Sequence, residues 1–270
     1  MAVTRRPPPW PLAIPAALGV ALLTVPLLAL IVRAPWGELP QLLREPVVRD
    51  ALTLSLVTAT TATVVSIVLG VPLAWMLARA AGRWTAPLRA LVTVPLVLPP
   101  VVGGVALLLA LGRNGIVGRW LDDWFGLTLP FTTLGVVVAE TFVAMPFLVI
   151  SVEGALRSAD LGLEEAARTL GAGRLTVFRT VTVPLVMPAV AAGAVLCWAR
   201  ALGEFGATIT FAGNFPGRTQ TMPLAVYLAL ETDPDAAIAL SLVLLVVCVA
   251  VLLLLRERWL RPAARREGVW

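Results

Sequence analysis

The sequence predicts an all-α integral membrane protein with six transmembrane helices. Three observations carry that prediction. Hydrophobic residues make up 59% of the chain, and charged residues 14%, against about 25% in soluble domains. Several charge-free runs exceed the roughly 20 apolar residues that cross a hydrocarbon core of about 30 Å. The arginines fall between those runs rather than along one face of a helix.

The first run, Pro7 to Val32, lies between Arg6 and Arg33 and is too long for the apolar core of a cleaved signal peptide. It reads as a retained span, in which Pro11, Pro15 and Pro26 bend or delay the helix. Ala51 to Ala78, Ala90 to Gly112, Val181 to Ala199 and Ala236 to Leu255 are further charge-free spans. The sixth span, Thr132 to Val152, contains Glu140, and a central carboxylate costs a few kcal/mol in a bilayer. Its flanks are otherwise apolar, and only with it does the arginine distribution make sense.

With six spans and the N-terminus in the cytoplasm, four inside segments hold fourteen arginines. These are Arg5 and Arg6; Arg79, Arg83 and Arg89; Arg157, Arg168, Arg174 and Arg179; and Arg256, Arg258, Arg261, Arg265 and Arg266. Outside lie six, Arg33, Arg44, Arg49, Arg113, Arg119 and Arg218, with Arg200 in or at the end of a span. Positive charge is retained on the cytoplasmic side, so this orientation is favoured over its inverse, and both termini are expected in the cytoplasm. No repeat of 20 to 50 residues divides the chain. One membrane domain spans 49–255; residues 1–48 supply a Pro-rich cytoplasmic lead-in (Arg5 to Pro11), the first span and an outer loop. Residues 256–270 form a basic cytoplasmic tail.

The net charge of +5 does not argue for nucleic acid, because the arginines form no basic face. The chain has no histidine and no lysine, which excludes histidine-based triads, His-containing metal sites and a P-loop lysine. Cys197 and Cys248 stand apart within apolar segments and read as small buried hydrophobes. No catalytic or metal-binding residue and no cofactor of its own are expected in this chain.

The longest cytoplasmic connection, Glu153 to Thr180, is unlike a passive linker. It reads as two short amphipathic helices, Ala155 to Ala159 and Leu163 to Leu170. Asp160 is a plausible N-cap for the second, followed by Glu164 and Glu165 where negative charge suits a helix N-terminus. Gly171 supplies a stop, and Ala166 and Ala167 leave small, closely approachable surface. A short helix with a charged rim and a small apolar centre suits docking in a protein groove.

The residues Glu165-Ala166-Ala167, then three residues, Gly171, nine residues and Val181-Thr182-Val183-Pro184 resemble the cytoplasmic signature of membrane subunits of bacterial ABC importers. That signature is Glu-Ala-Ala, three residues, Gly, nine residues and Ile-x-Leu-Pro. The spacing fits throughout, and Val181 and Val183 replace Ile and Leu conservatively. The resemblance implies a type I ABC importer transmembrane fold, in which this loop, with Glu164, Glu165, Ala166, Ala167 and Gly171, docks in a cleft of a separate ATPase subunit. It also implies that ATP and magnesium are bound by that partner, present in two copies.

A second stretch, Arg200 to Tyr227, with Gly203-Glu204-Phe205-Gly206-Ala207-Thr208-Ile209-Thr210-Phe211-Ala212-Gly213-Asn214 at its heart, is similar to molybdate permeases of the ModB type. Sulfate permeases share the Gly-Glu-Phe-Gly core, whereas the continuation Ala-Thr-Ile-Thr-Phe-Ala-Gly-Asn belongs more to the molybdate side. Leu98-Pro99-Pro100-Val101-Val102-Gly103-Gly104 shares the resemblance, which runs from about Arg49 to Leu255. It implies a homodimer in the bacterial cytoplasmic (inner) membrane, fed by a periplasmic or lipid-anchored oxyanion-binding protein and carrying molybdate, with sulfate or tungstate as the nearest alternatives.

Thr208, Thr210 and Asn214 offer neutral donors, and Gly203, Gly206 and Gly213 let backbone N–H groups approach an anion. With Glu204 they are the candidate translocation path or gate; the same Gly and Thr residues are also ordinary packing residues of membrane helix interfaces. Arg200 and Glu204, four apart, face one side of a helix and are expected to pair at the membrane boundary. Glu140 is expected to hydrogen-bond another helix or to be protonated, since an ionised carboxylate would repel an anion. Gly70 with Pro72, Pro99-Pro100 with Gly103-Gly104, and Met145-Pro146 mark breaks that suit either alternating access or fixed kinks. An ion-gradient-driven secondary transporter would carry titratable relays or inverted repeats, and a membrane enzyme paired carboxylates or a nucleophile with its base; neither pattern is evident.

Overall fold

The computed structural model describes residues 10–80 and 82–259. The lead-in before Trp10 and the tail from residue 260 onwards lie outside the described residues. The described chain is helical throughout: α1 (Trp10–Val32), α2 (Leu39–Leu42), α3 (Pro46–Arg79), α4 (Thr85–Val97), α5 (Pro100–Leu111), α6 (Gly118–Phe125) and α7 (Thr133–Ser158) come first. They are followed by α8 (Leu161–Thr169), α9 (Arg174–Val177), a π-helical segment (Phe178–Thr182), α10 (Val183–Leu202), α11 (Gly206–Phe211), α12 (Met222–Thr232) and α13 (Pro234–Trp259).

Helix α7 is the axis of the bundle. Thr132 starts it by accepting a hydrogen bond from the Gly135 N–H at 3.0 Å, which satisfies one of the otherwise unpaired first-turn donors. From there it buries Val136, Ala139, Val143, Leu148, Val149 and Val152 against its neighbours. On one side α3 presents a stripe of small residues, Ser55, Ala59, Ala62, Ser66, Gly70 and Ala74, at spacings of three and four. Small side chains let two helices approach without a hydrophobic driving force between them. At Gly70 the approach is so close that an added Cβ would stand 3.1 Å from the Val149 side chain. On the other side α10 makes the same kind of approach at Gly193, against Leu148 and Ser151. A second cluster joins α5, α7 and α11 through Leu107, Ala139, Val143, Ala207 and Phe211, and a third joins α3, α12 and α13 through Ala51, Met222 and Leu240.

Among the described residues five helices are long and apolar enough to cross a membrane: Pro11–Val32, Pro46–Arg79, Thr133–Ser158, Arg174–Leu202 and Pro234–Val251. The expected span Ala90 to Gly112 is not one helix. It is the pair α4 and α5, bent by 118°, and counts as the sixth span when the pair is taken as one. Pro99 has no N–H to continue the ladder of α4, and Pro100 is pre-set for the first turn of a new helix, so the break falls between them and Val97. The fifth span begins earlier than its apolar run, because α9, the π segment and α10 continue into one another from Arg174. Pro15 and Pro26 do not interrupt α1.

Candidate functional site

The connection after α7 is shorter than its composition implies. Ala155 to Ser158 form no separate helix, because α7 continues to Ser158. Its last turns stay helical because Glu153 and Arg157, four apart, pair at 2.9 Å, and because Leu156 is buried in the core. The second expected helix is α8, two residues longer at its start. Asp160 caps it by accepting from the Gly162 N–H at 2.8 Å. Its end is closed by two bonds, Ala172 N–H to Ala167 O at 3.1 Å and Gly171 N–H to Arg168 O at 2.9 Å, with Gly171 at φ +87°. This is the Schellman arrangement, whose left-handed residue is cheapest as glycine.

Adjacent carboxylates on α8 have opposite surroundings. Glu165 is exposed, as are Ala166 and Gly171, and Ala167 is half-buried. Glu164 is buried. Its Oε1 accepts from Arg79 Nη2 at 2.6 Å and from Thr182 Oγ1 at 3.0 Å, and Arg168 Nη2 stands 3.5 Å from Oε2. Arg79 ends α3, and Thr182 ends the π segment. That segment lies against α3, where Phe178 meets Trp75 edge-on at 6.1 Å between ring centroids. A cavity of about 800 Å³ opens beside them, walled by Trp75, Leu175, Val177 and Phe178 and also lined by Arg168 and Arg174.

A second ion cluster stands beside the first. Glu153 accepts from Arg89 of α4 and from Arg157, at 2.9 Å each, and Arg157 Nη2 donates to the Leu77 carbonyl of α3 at 3.2 Å. Arg79, Arg89, Thr182 and Glu153 were not singled out by sequence reasoning, in which the arginines entered only as inside charges. The i, i+4 spacing of Glu153 and Arg157 was the one available signal.

The candidate path residues divide. Gly206 and Gly104 are the points at which α11 and α5 touch: a Cβ on Gly206 would stand 2.9 Å from Pro100 Cβ, and one on Gly104 2.7 Å from Thr210 Cβ. Thr210 Oγ1 donates to its own helix at Gly206 O, 2.7 Å away. Thr208 is fully buried, and its hydroxyl has no partner among the described residues. Asn214 is half-buried, with Oδ1 equally unpartnered. Gly213, at φ +76°, sits between Phe131 and Phe215. Gly203 lines a groove of about 480 Å³ with Phe205, Tyr227, Leu244 and Cys248.

Glu204 pairs with Arg200 at 2.6 Å and accepts from the Ala207 N–H at 2.7 Å, which holds the turn into α11. The carboxylate of the pair lies in the interior, with Glu204 1% exposed, while the Arg200 side chain is 28% exposed. Glu140 accepts from Thr58 Oγ1 of α3 at 3.0 Å, a bond to another helix.

Comparison with known proteins places this geometry. The family described as binding-protein-dependent transport system inner membrane component matches residues 66–266. The molybdenum transport system permease protein ModB of Mycobacterium tuberculosis is 50% identical over 228 residues, covering 84% of this chain and 86% of the relative. ModB of Escherichia coli K12 is 46% identical over 183 residues, 68% of this chain and 80% of the relative. Among solved structures, a bacterial ABC transporter that imports the polysaccharide alginate superposes with a TM-score of 0.77 at 17% identity, over 94% of this chain and 95% of that one. The MetNI methionine ABC transporter superposes at 0.59 and 18% identity, over 79% and 93%. At those identities the structures speak for the fold, that of type I ABC importer transmembrane domains. The chain belongs to the binding-protein-dependent transport system inner membrane components, as a multi-pass permease subunit of an ABC importer.

Proposed function

We propose that this chain carries molybdate into the cytoplasm, driven by ATP hydrolysis in a separate subunit. The observation that carries the reading is α8: a short capped helix that turns Glu165 and Ala166 outward while its neighbour Glu164 is held by the bundle. Such a helix is suited to a cleft in a partner, and the chain has no lysine from which to build a P-loop of its own. Molybdate as cargo is supported by the relatives at 46–50% identity, which are molybdenum transport system permease proteins.

In this reading two copies of the chain form the pathway, two ATPase subunits hold ATP and magnesium, and a periplasmic or lipid-anchored binding protein delivers the anion. Both termini face the cytoplasm. Closure of the ATPase pair displaces α8, and the bundle answers by exchanging inward- and outward-open states. Thr208, Thr210 and Asn214 suit a passing dianion because neutral donors hold it weakly, whereas a fixed arginine would trap it.

Uptake of labelled molybdate in cells lacking this chain tests the substrate. Uptake is expected to fall to background and to return with the gene; undiminished uptake, with no redundant system present, would sink the assignment. Competition by excess tungstate or sulfate then ranks the three anions. For docking, Gly171→Asp is expected to leave the protein in the membrane but to release or uncouple the ATPase. It puts a side chain and a charge at a left-handed position that costs about 1 kcal/mol or more. Wild-type transport by that variant would count heavily against α8 as the coupling element.

A further inference from the structure

We infer that Glu164 is a positioning residue that fastens the coupling helix to α3 and to the foot of α10, and so passes its displacement into the bundle. The inference rests on the reading of α8 as the docking helix. It concerns the side of α8 turned away from the partner.

Among the described side chains of α8, none belongs to a hydrophobic cluster. Leu163 is half exposed, and Leu170 beyond the end of the helix is 89% exposed. The backbone joins it only to α7, through Ala159 and Asp160, and to α9, through residues 170–173. Helix α3 is no sequence neighbour of α8, and the ion pair from Glu164 spans 85 residues to reach it. One carboxylate therefore gathers two donors, Arg79 at the end of α3 and Thr182 in the π segment below α10, and a looser ion-pair partner, Arg168 on α8 itself.

The π segment has a physical part in this. A π turn, bonded i to i+5, carries an extra residue relative to the α-helix around it, and such turns are rare and frequent at functional sites. Here the segment ends at Thr182, whose hydroxyl is aimed at Glu164. At the other end of the linkage, α3 is tied to α7 two residues before Arg79, where Arg157 donates to Leu77 O. A pull on α8 thus loads α3 through a charge-assisted bond of 2.6 Å rather than through side chains that slide.

The test uses the chain co-expressed with its ATPase, purified as a complex and reconstituted with the binding protein in liposomes. The readout is labelled molybdate carried per ATP hydrolysed. Glu164→Gln keeps the size and one acceptor but removes the charge. It is expected to lower that ratio roughly tenfold, within the usual range of coupling between sites. The charge exchange Arg79→Glu with Glu164→Arg is expected to restore a large part of it. An unchanged ratio in E164Q, or an exchange no better than either single change, overturns the inference. So does an E164Q chain that no longer retains the ATPase, because the carboxylate then belongs to the docking face.

A second arm needs no partner. Amide hydrogen exchange of residues 161–170 in the detergent-solubilised chain is expected to rise about tenfold in E164Q, as a local opening becomes cheaper. Unchanged protection there overturns the fastening by itself. If the wild-type complex carries no molybdate, or binds no ATPase, the functional reading fails while the exchange arm still decides the role of Glu164.

Discussion

Among the described residues four carboxylates are buried in this bundle, two at the end that carries α8 and two in the interior, and they are held in different ways. Glu164 takes its closest donors from residues 85 and 18 positions away, and Glu153 is joined to Arg89, 64 positions away. Glu204 is held locally, by an ion pair with Arg200 four residues before it and by the Ala207 N–H three residues after it. Glu140 has one cross-helix bond, to the neutral hydroxyl of Thr58. The same side chain serves as a joint between helices at one end and as a brace for a turn in the middle. Near the α8 end, several arginines can reach water with part of their length while keeping a carboxylate partner, so ion pairs there escape the full desolvation cost. In the interior, among the described residues, only Arg200 is paired with a carboxylate, and the neutral donors are the Thr58 hydroxyl to Glu140 and the Ala207 N–H to Glu204.

This contrast can be broken by substitution, read as unfolding free energy in detergent micelles. The largest loss is expected from Glu164→Ala, about 3 kcal/mol, because it strands the half-sequestered guanidinium of Arg79. Next is Glu204→Ala, about 2 kcal/mol, since it leaves the Ala207 N–H and Arg200 without their acceptor at a buried position. A loss in Glu204→Ala greater than in Glu164→Ala would reverse the comparison. Glu140→Gln sharpens it: the amide oxygen still accepts from Thr58, so a change below about 1 kcal/mol is expected. A cost as large as that of Glu204→Ala would instead mean that Glu140 contributes through its charge. The smallest effect belongs to Arg113→Ala, within about 0.5 kcal/mol, because its 3.3 Å pair with Asp122 is mostly solvated.

Much of the site was readable in the order of residues because its signals are local. The Asp160 cap, the α8 helix and the left-handed Gly171 depend on a few adjacent positions, and each has a side chain chemically suited to its place. The Arg200–Glu204 pair follows from a spacing of four. Boundaries were readable only where a cap or proline marks them. Nothing near Val152 ends α7, so the helix runs on to Ser158, and the supposed first helix of the loop is its last turn. The apolar run from Ala90 to Gly112 has the length of a span, but Leu98-Pro99-Pro100 breaks it by 118°.

The sequence by itself determined the class of the molecule, the number of apolar segments, and the short capped helix with its left-handed glycine that follows α7. These follow from composition and from short-range spacing, which do not depend on which helices become neighbours. The tertiary structure alone decided that α7 is the axis, that Gly70 and Gly193 are its contact points, and that Glu164 rather than Glu165 is drawn into the bundle. The two glutamates are adjacent and chemically identical. What separates them is the direction each leaves the helix, and whether Arg79 and Thr182, far away in the chain, have been folded to meet it.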